Sequence, residues 1–181
     1  MIEEPANRNR LSEEPGRTLQ EVEGETFFDG VSLEKIANEV GTPTYIYSAK
    51  SFNRQFRELE KAFKGVDSKI FYSVKANSNV NIISLFNQLD SGFDIVSGGE
   101  LHRVIAAGAD PRATIFSGVG KSVSEIDLAL KVGIDCFNIE SAPELDRIIE
   151  RSRVLGKKPD ISVRINPDID ALTHPYISTG L

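Results

Sequence analysis

The chain has 181 residues, of which 40% are apolar and 27% are charged, and its formal net charge is −6 at pH 7 with a pI near 5.1. This composition is typical of a folded protein, and the acidic balance argues against nucleic acid or an anionic membrane as the main partner. The sequence predicts no membrane-spanning helix and no secretory leader, because it lacks the apolar runs that either would need. A single cysteine, Cys136, suits a reducing compartment. We therefore expect a cytoplasmic protein without a membrane partner.

The start of the chain is predicted to be a flexible extension. Residues 1–26 carry many charges, prolines at positions 5 and 15 and no aromatic residue. Such a segment cannot bury enough apolar surface to offset the entropy lost on ordering. We expect structure to begin near Phe27, with a short N-terminal segment over residues 27–42 and the main domain over residues 43–181.

A strand and a helix are predicted next. Residues 44–47 (TYIY) are β-branched and aromatic and follow Gly41 and Pro43, which is typical of a strand. The helix is indicated by four apolar side chains at helical spacing: Phe52, Phe56, Leu59 and Phe63.

Five apolar runs then follow at a nearly constant interval, and each is predicted to be a strand. Their starts are 22, 22, 22 and 26 residues apart, over residues 71–75, 93–97, 115–119, 137–141 and 163–167. Helical patterns lie between them, over residues 80–89, 101–107, 126–132 and 145–155. Three of these helices are predicted to begin with a capping box, formed by the pairs Ser97 and Glu100, Ser122 and Glu125, and Ser141 and Glu144.

Repeated strand–helix units of this length predict an α/β fold with a parallel sheet and right-handed crossovers. The nearly continuous apolar strands fit burial on both faces, and the regular interval favours a (β/α) barrel over an open sheet. An eightfold barrel typically needs about 250 residues, whereas five to six βα units can be found here. We therefore expect an incomplete (β/α)8 TIM barrel that forms the N-terminal part of a longer enzyme.

Polar side chains end the predicted strands, where ligands bind in such folds. Lys75 is the strongest candidate, because a lysine that loses solvation has a lowered pKa and becomes a nucleophile able to form a Schiff base with a carbonyl compound. Arg164 could hold a phosphate or carboxylate, or could form an ion pair with Asp94 or Glu140. The other polar positions at this edge are Ser97, Ser117, Asn138 and Asn166.

The remaining candidates have structural alternatives. Asp94 lies inside an apolar run and needs a partner if it is buried, and Glu100 completes a capping box. His174 lies in a loop-like segment and is a candidate for binding, whereas His102 and Cys136 are predicted to be structural. No group of histidine, cysteine and carboxylate side chains has the spacing of a metal site.

Two motifs are rejected. Residues 118–122 (GVGKS) resemble the end of a P-loop, but Ile115 stands where that motif needs a glycine. The Gly-x-Ser-x-Gly sequence of the α/β-hydrolases does not occur.

Three segments resemble fold-type III enzymes that use pyridoxal 5'-phosphate (PLP). Residues 71–77 (FYSVKAN) resemble the lysine motif of this group, which includes diaminopimelate, ornithine and arginine decarboxylases and, more distantly, alanine racemase. Residues 92–101 (GFDIVSGGEL) and 164–180 (RINPDIDALTHPYISTG) resemble the diaminopimelate decarboxylases in particular.

The resemblance implies PLP as the cofactor, with Lys75 bound to it covalently, Asp94 near that lysine, Arg164 in the cofactor site and Glu100 as a supporting acid. His174 is the candidate nearest to the substrate. The implied reaction is decarboxylation of meso-diaminopimelate to L-lysine and CO2 by a homodimer of the full-length enzyme, whose β-domain the segment 27–42 would join. The chain alone is expected to be inactive, because the later cofactor contacts of the family are missing.

One further match is not assigned to the site. Residues 14–17 (EPGR) agree in letters with a cofactor motif of the family, but they lie in the predicted extension. Two other functions stay open: a related decarboxylase of the ornithine or arginine type, and a non-catalytic binding protein that keeps the PLP barrel.

Overall fold

The computed structural model describes residues 18–166. The chain divides into two compact units, Met1–Val66 and Asp67–Leu181. The predicted boundary between residues 42 and 43 therefore falls inside the first unit.

The first unit begins with an antiparallel sheet of three strands, β1 (Leu19–Val22), β2 (Glu25–Phe28) and β3 (Val31–Ser32). Two-residue turns with positive φ connect them, Glu23-Gly24 and Asp29-Gly30. Such turns match the twist of paired strands, so they close tight hairpins. The prediction of a flexible extension up to residue 26 is therefore wrong from Leu19 onward, while residues 1–17 lie outside the described part.

Two helices complete the first unit, α1 (Leu33–Val40) and α2 (Ala49–Ala62). Each begins at a serine whose hydroxyl accepts a backbone N–H, Ser32 in α1 and Ser48 in α2. The helix predicted around Phe56 is confirmed. The strand predicted over residues 44–47 is wrong, because these residues join no strand ladder within the described chain. Their aromatic composition favours a strand, but without a neighbouring strand the hydrogen bonds of a ladder cannot form.

The second unit is a parallel sheet in which each strand pairs with the next along the chain. The strands are β4 (Phe71–Ser73), β5 (Gly92–Ile95), β6 (Thr114–Phe116), β7 (Cys136–Ile139) and β8 (Asp160–Val163). The connecting helices are α3 (Val80–Gln88), α4 (Gly98–Ala106), α5 (Val123–Val132) and α6 (Ala142–Leu155), and single 3-10 turns lie at Val74–Ala76 and Pro111–Ala113. The predicted α/β architecture of repeated strand–helix units is confirmed.

Two strand positions differ from the prediction. β4 ends at Ser73, and the 3-10 turn Val74–Ala76 follows it directly. β8 covers Asp160–Val163 rather than residues 163–167, because its pairing with β7 begins at Cys136 opposite Asp160. β8 begins with the polar residue Asp160, so a prediction based on apolar runs misses the start of this strand.

The core lies between the sheet and the helices. Phe93, Phe116 and Phe137 come from three adjacent strands and are fully buried. Because side chains alternate along a strand, Asp94 lies on the face opposite to Phe93, and Asn138 on the face opposite to Phe137. One face of the sheet therefore builds the core, while the other face carries Asp94 and Asn138.

Gly92 is a point of close approach between β4 and β5. A Cβ atom at this position would lie 2.4 Å from ring atoms of Phe71, the residue paired with it across the sheet. We expect Gly92→Ala to lower the free energy of unfolding by about 1–3 kcal/mol, as overpacking does in other cores. Urea unfolding followed by circular dichroism measures this change.

Gly99→Ala is the matched control for that substitution. Its Cβ would meet only the Ser97 hydroxyl at 3.7 Å, an ordinary contact. Adding Phe71→Leu to Gly92→Ala should recover part of the loss. Equal stability of the Gly92→Ala and Gly99→Ala variants would contradict the packing argument.

Candidate functional site

A row of four hydrogen-bonded side chains crosses the sheet on its polar face. The Ser73 hydroxyl donates to Asp94 Oδ2 (3.1 Å), and the Ser117 hydroxyl donates to Asp94 Oδ1 (2.5 Å). The amide Nδ2 of Asn138 donates to the Ser117 hydroxyl oxygen (2.9 Å). We call these four residues the polar row. It joins the carboxyl ends of β4, β5, β6 and β7, so the partly buried Asp94 carboxylate has a donor on each oxygen.

Lys75 lies two residues beyond the first member of the polar row. It is the middle residue of the 3-10 turn Val74–Ala76. Val74 is fully buried, whereas Lys75 itself is exposed. The turn is held at its far side by the Tyr72 hydroxyl, which donates to the Asn77 carbonyl (3.0 Å). Lys75 is therefore accessible in this structure, because the strand ends before the lysine and the turn directs it to solvent.

Arg164 forms an ion pair with Glu140, one of the two carboxylates that the sequence suggested. Its guanidinium lies 3.0 Å from Glu140 Oε2, and the Arg164 side chain remains 47% exposed whereas Glu140 is 9% exposed. The backbone N–H of Gly118 also donates to Glu140 Oε1 (3.1 Å). Glu140 therefore ties the segments that follow β6, β7 and β8 together at the same edge.

Glutamates accept backbone N–H groups at or just before the starts of α4, α5 and α6. Glu100 Oε2 accepts from Val96 N (2.7 Å), and Glu144 Oε2 accepts from Glu140 N (2.7 Å). Glu125 completes a capping box with Ser122. Each carboxylate places a negative charge near a helix N-terminus and offsets part of the positive potential there.

The three predicted capping boxes differ in detail. The box of Ser122 and Glu125 is confirmed in both directions. Ser97 caps α4 through its hydroxyl, but Glu100 accepts from the residue before the cap. Ser141 makes no side-chain cap hydrogen bond, so the third box is wrong as predicted. Glu144 turns inward instead, toward a buried lysine.

Glu125 also links two neighbouring helices. Its Oε1 accepts from Gly98 N (2.7 Å) at the start of α4, and its Oε2 accepts from Ser122 N (2.9 Å). The Gly98 bond, followed by the Ser122 bond, lowers the pKa of the Glu125 carboxyl below its ordinary value of 4.5. A carboxylate with a lowered pKa in the folded state stabilises the fold above the unfolded-state pKa, and this contribution is lost as the pH falls through the lowered value.

Glu125→Gln should therefore reduce the loss of unfolding free energy that occurs as the pH is lowered. The wild-type chain is expected to lose stability as the pH falls below 4.5, whereas the variant lacks this part of the loss. Urea midpoints measured from pH 6 to about pH 2.5 test the difference. Glu150→Gln, on the exposed part of α6, is the control. A wild-type profile that matches the Glu125→Gln profile would contradict the role of this carboxylate.

A buried ion pair lies beneath this edge. Lys121 Nζ is 2.8 Å from Glu144 Oε1, with side-chain exposures of 0% and 1%. The same ammonium donates to the carbonyls of Gly118 and Asn138, both at 2.8 Å. The sequence analysis missed this pair. The lysine of the GVGKS segment therefore binds Glu144 and two backbone carbonyls inside the protein, which agrees with the rejection of a P-loop.

The other sequence candidates fall outside this group. His102 is exposed on α4, and Cys136 is half-buried in β7, where burial raises the pKa of its thiol. His174 lies outside the described residues, as does the segment 14–17. None of the helices within residues 18–166 has both the length and the apolar character needed to cross a membrane.

A family model for the pyridoxal binding domain of pyridoxal-dependent decarboxylases matches residues 49–181. The chain belongs to the pyridoxal-dependent decarboxylases. The matched residues include the whole parallel sheet, the polar row, Lys75 and the pair of Arg164 with Glu140.

Curated relatives carry the name diaminopimelate decarboxylase. The protein from Neisseria meningitidis serogroup B is 54% identical over 155 residues, which cover 86% of this chain and 37% of the relative. The protein from Pseudomonas aeruginosa is 49% identical over 159 residues, which cover 88% of this chain and 38% of the relative. The resemblance to diaminopimelate decarboxylases is confirmed, and the chain spans less than two-fifths of the length of these relatives.

Solved structures give the same result. Diaminopimelate decarboxylase from Helicobacter pylori, complexed with L-lysine, superposes with a TM-score of 0.77 at 49% identity over 82% of this chain and 38% of that chain. The enzyme from M. jannaschi gives a TM-score of 0.78 at 32% identity over 90% of this chain and 39% of that chain. With these neighbours, the predicted incomplete (β/α)8 barrel is confirmed.

The residues of this decarboxylase domain fit PLP in part. An accessible amine at Lys75 can reach an aldehyde, and the adjacent edge offers a fixed carboxylate at Asp94 and an exposed cation at Arg164. Carboxylates already lie at or just before the starts of α4, α5 and α6, where they offset part of the positive potential of each helix. The described edge therefore offers Lys75 and Asp94 to the reactive end and the ring of the cofactor, and Arg164 as a cation for its phosphate or for a carboxylate.

Proposed function

We propose that this chain is the lysine-bearing part of a PLP-dependent carboxy-lyase that converts meso-diaminopimelate to L-lysine and CO2. The observation that carries the proposal is the carboxyl edge of the sheet, where Lys75 follows a strand that is tied to Asp94 through Ser73. Diaminopimelate as the substrate is supported by the curated relatives, which are named diaminopimelate decarboxylase and are about 50% identical to this chain.

Lys75 would hold the cofactor through its Nζ atom. The amine is exposed at a turn whose neighbours are fixed by Val74 in the core and by the Tyr72–Asn77 hydrogen bond. It can therefore reach an aldehyde carbon without moving the sheet. When bound, PLP supplies an electron-withdrawing ring that accommodates the negative charge left by the departing CO2.

Asp94 and Arg164 would set the electrostatics of this edge. Asp94 presents a fixed negative charge that favours a cationic nitrogen beside it, and Arg164 presents a cation suited to a carboxylate or phosphate. Glu140 holds Arg164 in place, so that the cation is already oriented before a ligand binds. Glu100 supports the same edge from the first turn of α4. His174 is proposed as a substrate-proximal residue.

The whole protein is proposed to be a cytoplasmic homodimer in lysine biosynthesis, acting on a small molecule rather than on nucleic acid. Residues 27–42 are proposed to join its β-domain. Two alternatives follow from the same edge. A related decarboxylase would act on ornithine or arginine, and a non-catalytic protein would bind PLP through the same lysine without releasing CO2.

A substrate panel on the whole protein loaded with PLP tests this function. We expect CO2 release from meso-diaminopimelate with L-lysine as the product, and a kcat/KM at least about 100-fold above those for ornithine and arginine, as a site with dedicated polar contacts gives. Faster turnover of ornithine or arginine would establish the related decarboxylase. Bound PLP without CO2 release from any amino acid would establish the non-catalytic protein.

A further inference from the structure

The polar row has a fixed direction of hydrogen-bond donation. Asn138 Nδ2 donates to Ser117, and the Ser117 hydroxyl donates to Asp94. An ionised carboxylate only accepts, and an amide nitrogen only donates. Ser117 has one proton, so an amide that donates to its oxygen leaves that proton directed at Asp94. Ser73 donates to the other carboxylate oxygen from the opposite side.

The backbone of Asn138 is held in place by the buried ion pair of Lys121 and Glu144. Lys121 Nζ donates to the Asn138 carbonyl and to the Gly118 carbonyl, both at 2.8 Å, and Glu144 neutralises its charge. The backbone N–H of Ser117 donates to the Ile95 carbonyl (2.8 Å). The backbone of both donor residues is therefore anchored, and their side chains have little freedom to reverse the direction of donation.

We propose that Asn138 and Ser117 are positioning residues that fix the orientation of the Asp94 carboxylate for the proposed decarboxylase. The inference rests on the proposed function, in which Asp94 faces the cofactor. Neither Asn138 nor Ser117 needs to touch the cofactor or the substrate. Ser117 donates a hydrogen bond to Asp94 Oδ1, and Asn138 keeps the Ser117 hydroxyl turned toward Asp94, so that the carboxylate meets a cationic nitrogen in one orientation.

Reversing the direction of donation is the decisive change. In Asn138→Asp the new carboxylate competes for the Ser117 hydroxyl proton, so Asp94 Oδ1 loses its donor while Ser73 still donates to Oδ2. In Asn138→Leu the Ser117 hydroxyl still donates to Asp94, although it is less well held. We expect Asn138→Asp to lower kcat by at least about 30-fold and Asn138→Leu by less than about 5-fold, with KM changing less than kcat, because a positioned group typically contributes 10²–10⁴.

The experiment uses the whole protein with PLP and has two readouts. The first is the absorbance band of the bound cofactor together with the dissociation constant of PLP, and the second is kcat and KM for meso-diaminopimelate. Ser117→Ala should resemble Asn138→Asp, and Ser117→Thr, which keeps the hydroxyl, should restore most of the activity. Gln88→Glu, at the exposed C-terminal end of α3, adds the same charge away from the row and should change neither readout.

A double variant separates the effect of losing the Ser117 hydrogen bond to Asp94 from the effect of the added negative charge at position 138. If the lost Ser117 proton causes the defect, Asn138→Asp should add less than about twofold in the Ser117→Ala background, because coupled residues are not additive. Full additivity, or equal effects of Asn138→Asp and Asn138→Leu, would overturn the inference. If the wild type releases no CO2, the proposed function fails, while a changed PLP band in Asn138→Asp alone still supports the positioning of Asp94. A wild type that binds no PLP overturns both.

Discussion

Replacing Lys75 by alanine is expected to lower kcat by at least about 10³-fold, equivalent to about 4 kcal/mol of transition-state stabilisation. The amine is exposed on the 3-10 turn after β4, and no hydrogen bond or ion pair of the described residues is lost with it. The fold should therefore be unchanged, and the loss should fall on covalent PLP binding. Decarboxylation rates, together with borohydride reduction of the PLP-loaded protein and peptide mapping, measure both effects.

Lys75→Arg separates the positive charge from the nucleophile. Arginine keeps the charge but stays protonated, so it cannot bond to the aldehyde carbon of the cofactor. It should be as inactive as Lys75→Ala. Lys131→Ala, an exposed lysine on α5, should leave both readouts at the wild-type level. Reduced cofactor found on a lysine other than Lys75, or full activity of Lys75→Ala, would show that another amine carries the chemistry.

Replacing Lys121 by methionine should lower the free energy of unfolding by about 3–5 kcal/mol, the range measured when one partner of a buried ion pair is removed. Methionine fills a similar volume, so little of the loss comes from a cavity. It leaves the Glu144 carboxylate buried without its cation, and the Gly118 and Asn138 carbonyls without their shared donor. Urea unfolding followed by far-ultraviolet circular dichroism measures the change.

Two variants test the cause of that loss. Lys131→Met makes the same replacement at an exposed position and should change stability by less than about 0.5 kcal/mol. The double variant Lys121→Met with Glu144→Met removes the unpaired charge, and it should be no less stable than Lys121→Met alone. A double variant that loses the sum of both single effects would mean that the two side chains stabilise the fold independently.

Most of the second unit could be predicted from the sequence, because strand–helix units repeat with strong local signals. Each helix from α3 to α6 has an apolar stripe, and serine or asparagine begins three of them with a side-chain cap. Side chains at the carboxyl ends of parallel strands must meet at one edge, so Asp94, Ser117 and Asn138 could be placed together without knowing the distances.

The errors have separate physical causes. The hairpins formed by β1, β2 and β3 are closed by turns with positive φ at Glu23 and Asp29, which composition does not reveal. Lys75 follows a strand that ends two residues earlier than its apolar pattern suggests. Lys121 and Glu144 are 23 residues apart in the chain, and each fits a familiar local motif, so the sequence alone gives no reason to pair them. Pairing of buried charges depends on how neighbouring βα units pack.

The strand order of the second unit has a consequence for synthesis on the ribosome. Every strand from β5 to β8 pairs with a strand that has already been made, and a translating ribosome adds about 5–20 residues per second. With 21 residues from Phe71 to its partner Gly92, a new strand emerges roughly every one to four seconds at that rate. The nascent barrel can thus grow by one unit at a time, with a single growing edge of unpaired backbone groups that the next strand covers. Translation and folding of this unit can therefore proceed in the same direction along the chain.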